Sequence, residues 1–179
     1  MAAKLSLQRQ AARTASLAGT IFHQMPVATV HYLTVQDVLW INQELTKKEC
    51  EFKYAQLEEA TYYQYGYGKS RDVLKQAGTF LQGFLKMRPF SEGSPQTALI
   101  ATLAFLSING YDIHLEPDQA NALLESVAAK QITGEQAVKQ IAQQSNRPPE
   151  LNPAVRTHIR SLIQKYGDAL IPRDSTEAS

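Results

Sequence analysis

A chain of 179 residues with a formal net charge of +1 and one cysteine, Cys50, fits a single domain with room for one substantial core. The lone cysteine excludes an internal disulfide and the usual cysteine-based zinc sites. The near-balanced charge gives no general pull toward nucleic acid or a membrane surface, and polar residues interrupt every apolar stretch, so no transmembrane segment is expected.

The amino terminus departs from this average. No Asp or Glu precedes Asp37, while Lys4, Arg9 and Arg13 sit among Ala, Ser, Thr and Leu. Residues 1–31 read first as a basic arm that is flexible or docks on a partner, and second as an organellar transit peptide. Cys50 has no histidine near it in sequence and reads as a quiet thiol. A reducing, cytoplasmic compartment follows, or an organellar stroma or matrix if the arm is a transit peptide.

Thr34 followed by Asp37 forms a capping box, and Val35, Val38, Leu39, Ile41, Asn42 and Leu45 continue it at helical spacing. A second helix is expected over 54–63, stopped by Gly66 and Gly68. The cluster Tyr62, Tyr63, Tyr65 and Tyr67 reads first as packing at a helix end and second as a recognition surface. A third helix is expected over 71–87, with Val73, Leu74, Ala77, Phe80, Leu81, Phe84 and Leu85 as its buried stripe. After the loop 88–95 comes a helix over 96–109 that is apolar nearly all round, from Ala98 to Ile108, the mark of a central element. Gly110 is placed to end it.

Pro117 opens a further helix through Ala120, Leu123, Leu124 and Val127. Thr133 and Gln136 form a second capping box ahead of Ala137, Val138 and Ile141. Pro148, Pro149 and Pro153 make a stiff connector to a last helix over 154–166, whose apolar face (Val155, Ile159, Leu162, Ile163) needs a surface to dock on. Residues 172–179 read as a tail.

The loop 88–97 stands at a helix N-terminus, where free backbone N–H groups hold anions. Read in order, Leu33-Thr34-Val35-Gln36-Asp37-Val38, Leu57-Glu58-Glu59-Ala60, Pro89-Phe90-Ser91-Glu92-Gly93, Thr97-Ala98-Leu99 and the run from Phe105 to Tyr111 resemble the death-on-curing (Doc) branch of the Fic fold. The resemblance covers residues 33–144. It implies an all-α, Fic/Doc-like helical domain (32–146) around a central apolar helix, with room for a small β-hairpin. The arm (1–31), the connector and last helix (147–171) and the tail (172–179) fall outside it.

Fic-fold enzymes carry a histidine base, an acid that holds a divalent cation, and an asparagine and arginine that grip phosphate. Most members transfer AMP to protein hydroxyls, whereas the Doc branch phosphorylates a translation factor as the toxin of a toxin–antitoxin pair. Here Pro89, Phe90 and Gly93 match, and Glu92 replaces acid by acid. Arg88 stands where the histidine belongs and cannot accept a proton. Ser94, Pro95 and Gln96 replace the remaining phosphate grips, and Ser94-Pro95 reads as an N-cap followed by proline at the first helical position.

The resemblance therefore implies a catalytically inactive Fic/Doc-like protein that binds a protein partner through the arm and the last helix, with no cofactor. Two alternatives remain: a divergent nucleotidyl- or phosphotransferase using ATP and Mg, and a toxin-like partner of an antitoxin. The candidate site residues are Arg88, Glu92, Gly93, Ser94 and Gln96, as a residual anion or partner contact. No catalytic residue or metal ligand is assigned; Glu92 holds a metal only if activity persists. Arg88 beside Glu92 reads as a salt bridge, and His23, His31, His114 and His158 as surface or capping residues that the fold could still bring to the loop.

Overall fold

The computed structural model describes residues 29–68, 71–147 and 150–171. Seven α-helices and one two-stranded antiparallel pair are present among them: α1 (Val35–Thr46), α2 (Tyr54–Tyr62), α3 (Val73–Met87), α4 (Ser94–Ile108), β1 (Tyr111–Ile113), α5 (Ala120–Ala128), α6 (Gly134–Ile141), β2 (Ala142–Gln144) and α7 (Val155–Leu170). Most of the basic arm and the tail lie outside the described residues, as do Pro148 and Pro149.

Helix α4 is the axis. Ala98, Leu99, Ile100, Ala101, Leu103, Ala104, Phe105 and Leu106 are all fully buried, because a helix apolar on every side is stable only when surrounded. Helices α1, α3 and α7 each pack directly on it. Helix α3 supplies Phe80 and Phe84, and the Phe80 ring meets Phe105 edge-on at 6.4 Å. The apolar face of α7 is spent inside the fold: Ile159, Leu162, Tyr166 and Leu170 are buried, and Tyr166 Oη donates to Leu115 O at 2.9 Å. That helix runs four residues past the expected end at Tyr166, since Gly167 does not break it and Leu170 still adds buried surface.

Both capping boxes form as expected. Thr34 Oγ1 accepts from Asp37 N, with Asp37 Oδ2 returning to Thr34 N, and Thr133 pairs likewise with Gln136. Helix α3 begins two residues later than expected because Asp72 caps it, accepting from Leu74 N and Lys75 N. Helix α2 passes at Tyr63 into a 3-10 turn (Tyr63–Gly68) instead of continuing, and Pro117–Gln119 forms a 3-10 turn ahead of α5.

Helix α6 lies against α3 at a glycine pair. A Cβ on Gly134 would sit 2.1 Å from Gly78 O, and one on Gly78 would sit 2.4 Å from Glu135 Cα, so the two backbones touch. The strands β1 and β2 pair Tyr111 with Gln144, Asp112 with Gln143 and Ile113 with Ala142. Two helices, α5 and α6, lie between them in sequence, so the pair closes a long excursion instead of a tight turn.

The chain enters this core through residues 31–33, held by two side-chain amides. Gln64, fully buried, accepts from Leu33 N and donates to Leu33 O, both at 2.8 Å. Asn109 does the same to His31, at 2.8 and 2.9 Å. Each amide imitates a neighbouring strand, leaving no backbone group of Leu33 unpaired in the interior.

Candidate functional site

The loop that joins α3 to α4 carries the candidate residues. Arg88 ends α3 in the left-handed conformation (φ 46°, ψ 61°), its N–H donating to Phe84 O at 3.0 Å. Few non-glycine residues adopt this conformation, and Arg88 does so as a C-cap that turns the chain sharply. Pro89 and Ser91 then pair with the segment ahead of α2: Lys53 N donates to Pro89 O and Ser91 N to Glu51 O, both at 2.9 Å. The loop is thus stitched across to the α1–α2 connection.

Helix α4 begins one turn earlier than its apolar run, at Ser94, and its cap differs from the expected one. Gly93, not Ser94, is the N-cap residue, at φ 69° and ψ 10° and without a side-chain cap bond. Pro95 therefore falls one position further into the first turn. The reason is that the Ser94 hydroxyl is engaged elsewhere. It accepts from Phe90 N at 2.9 Å and donates to Phe90 O at 3.1 Å, in a position only 3% exposed. A serine closing the loop on itself cannot also cap the helix.

A second clamp comes from α1. The buried Asn42 donates through Nδ2 to Glu92 O at 2.9 Å and to Thr97 Oγ1 at 3.0 Å, joining α1, the loop and the start of α4. Helical spacing places Asn42 on the inner face of α1, but nothing in the sequence tells that its amide reaches a loop fifty positions away. Residue 93 lies against this clamp, for a Cβ there would meet Thr46 Cγ2 at 2.8 Å and Asn42 Nδ2 at 3.1 Å.

The Arg88–Glu92 salt bridge does not form. Glu92 pairs with Lys48 at 2.6 Å, both side chains being more than half exposed. The hydrogen bond that Lys48 donates to Glu92 holds its ammonium above the ordinary pKa of 10.5, against a cost of desolvation and with the Glu92 charge adding to the rise. Arg88 instead lines a shallow cavity of about 280 Å³ with Pro95, Gln96, Asn121, Leu124 and Glu125. Of the five candidate residues, Arg88 and Gln96 are thus brought together, Ser94 is turned into the protein, and Glu92 faces Lys48 across the rim. Among the described residues no three His, Cys, Asp or Glu side chains are placed to hold a metal.

The described histidines lie elsewhere. His158 on α7 meets Ser107 of α4, Nδ1 to Oγ, at 2.7 Å. His31 Nε2 lies 3.1 Å from Glu150 O. Both belong to the far end of α4, roughly 20 Å from the loop along a 15-residue helix. Ser107 and His158 line a cleft of about 380 Å³ with Gly110, Tyr111, Asp112, Ser145, Arg147 and Glu150. A serine bonded to a histidine is half of a nucleophile–base arrangement, but no carboxylate among the described residues hydrogen-bonds the His158 ring to orient it. His114 lies beside Leu115 in a separate groove, and His23 is outside the described residues. Cys50, half-buried, donates to Thr46 Oγ1 at 3.5 Å.

No family model matches the chain, and neither a curated protein nor a solved structure matches it. No helix among the described residues is long and apolar enough to cross a membrane.

Proposed function

We propose that the chain is a Fic/Doc-like protein that acts by binding another protein, without nucleotide chemistry in the loop 88–97. The observation that carries this reading is the Ser94 hydroxyl. It occupies the position of the family's phosphate-gripping asparagine, and its donor and one of its two acceptor positions are spent on Phe90. The neighbouring substitutions point the same way. Arg88 cannot serve as a base, Gln96 brings no positive charge to a phosphate, and Glu92 is engaged by Lys48.

On this reading the partner is met by the basic arm and by the outer, polar face of α7, since the apolar face of that helix is already buried. No cofactor is required, and a reducing cytoplasmic compartment suits the unpaired Cys50. Titration calorimetry with ATP or GTP and magnesium should show no binding; a micromolar affinity overturns the proposal. A pull-down from the native organism, repeated without residues 1–30, should lose the partner.

A divergent transferase is the second reading, favoured by one observation: Arg88 and Gln96 converge on the same cavity. It requires label transfer from radiolabelled ATP or GTP to a protein, abolished by Glu92→Ala. Absence of any transfer ends it.

A further inference from the structure

Large apolar side chains are normally scattered when they are exposed at all, so a cluster of them on one short segment has a meaning. Phe52, Tyr54, Tyr62 and Tyr65 are all exposed, at 39–61% of their surface, and all belong to α2 and its flanks. Ala55, Glu58, Glu59 and Tyr62, spaced along one face of α2, line a shallow groove of about 350 Å³. At the carboxyl end of that face the rings continue without a break: Tyr62 lies 5.6 Å from Tyr65, and Tyr65 stacks on Tyr32 at 4.2 Å. The face combines π-surfaces with two carboxylates, a chemistry that receives Lys and Arg side chains.

Tyr32 ties this face to a source of cations. It lies three residues inside the first described residue, Thr29, so the point at which residues 1–28 join the described chain is within roughly 10 Å of Tyr32, the residue that begins the patch. Every charged side chain in those residues is basic (Lys4, Arg9 and Arg13), apart from the titratable His23. Arg13 is 16 positions before Thr29, a tether of up to roughly 50 Å, so all of α2 is within its reach.

We propose that the basic segment 1–28 docks in cis on the outer face of α2, its Lys and Arg side chains meeting Glu58 and Glu59 and packing over Tyr62 and Tyr65. This goes beyond the function proposed above, because it makes any partner of the arm a competitor of the α2 face. It rests on the exposed aromatic face, not on the altered loop, so either proposal can fail alone.

Carbodiimide crosslinking of the full chain tests it, since this reagent joins only an amine and a carboxylate already in contact. Lys48–Glu92 and Lys139–Glu135, at 2.6 and 2.7 Å, are internal positive controls. The expected result is a link from Lys4 to Glu58 or Glu59 within one chain. Tryptic cleavage after Arg9 and Arg13 should also be roughly fivefold faster in the full-length Glu58→Gln/Glu59→Gln variant, because two exposed ion pairs and their ring contacts are removed. Raising salt should speed the same cuts in the wild type and leave the variant unchanged. A link between two chains would assign the face to a second copy and overturn the cis proposal. Controls that crosslink while Lys4 does not, or cleavage unaffected by the variant, would also overturn it.

Discussion

The two ends of α4 are built on opposite plans. At the amino end, where the resemblance leads one to look for chemistry, polar groups are engaged with one another: Ser94 closes on Phe90 and Asn42 clamps Glu92 O and Thr97 in the interior, and Glu92 meets Lys48 at the exposed rim. At the carboxyl end, to which the resemblance assigns no chemistry, Ser107 and His158 meet beside an open cleft that also gathers Arg147, Asp112 and Glu150. A helix N-terminus is the better anion site in principle. Here the side chains around that terminus bond mostly to the loop and to one another, while the serine–histidine pair lies at the other end.

If the amino end is structural, breaking it must cost stability. The largest effect is expected from Asn42→Ala, which leaves buried partners on the loop and on α4 unpaired. A loss of about 2–4 kcal/mol should appear in denaturant unfolding, with the midpoint of thermal unfolding lowered by roughly 4–16 °C. A change below about 0.5 kcal/mol would mean that the clamp is not what closes the loop. Gly93→Ala should follow, at about 1–3 kcal/mol, because a left-handed residue acquires a Cβ only 2.8 Å from Thr46 Cγ2. Denaturant titration measures it directly.

The same comparison separates what the sequence makes legible from what it hides. The capping boxes at Thr34 and Thr133 and the all-round apolar helix are visible because their signals are local, three or four positions apart. The cap of α4 differs from the expected one for a physical reason. Serine before proline is a good N-cap by its neighbours alone, yet its hydroxyl had a stronger use four residues back. Likewise Arg88 and Glu92 look paired because they are close in sequence, while Lys48, 44 positions away, is the residue in contact. The Tyr cluster divides in the same way. Tyr63 packs where a Cβ on Gly83 would strike its ring, as the packing reading expects, whereas Tyr62 is 57% exposed, Tyr65 is 39% exposed, and the Tyr67 side chain lies outside the described residues. Contacts such as Gln64 with Leu33, or Gly78 with Gly134, leave no mark in a pattern of letters, because an amide or a glycine looks the same whether or not something touches it.

At the carboxyl end the expected loss is smaller. Ser107→Ala removes one partly exposed hydrogen bond to His158 and should cost about 0.5–1.5 kcal/mol, read by denaturant unfolding. A loss as large as that of Asn42→Ala would show that both ends are equally structural and would erase the contrast drawn above.

The smallest effect is the most telling about chemistry. Glu92→Gln at neutral pH should leave the thermal midpoint unchanged, because its pair with Lys48 is solvent-exposed. The signature lies instead in titration. Glu92 keeps Lys48 protonated above its ordinary value of 10.5, so whatever the pair contributes is complete below that pH and fades as pH climbs through the raised value. In the variant, NMR titration of the Lys48 ε-methylene should move the transition downward, toward 10.5. Magnesium and ATP added to the wild type should leave this titration where it was. If they displace Lys48 from Glu92, the carboxylate still answers to a metal and nucleotide, and the amino end of α4 must be counted as a site after all.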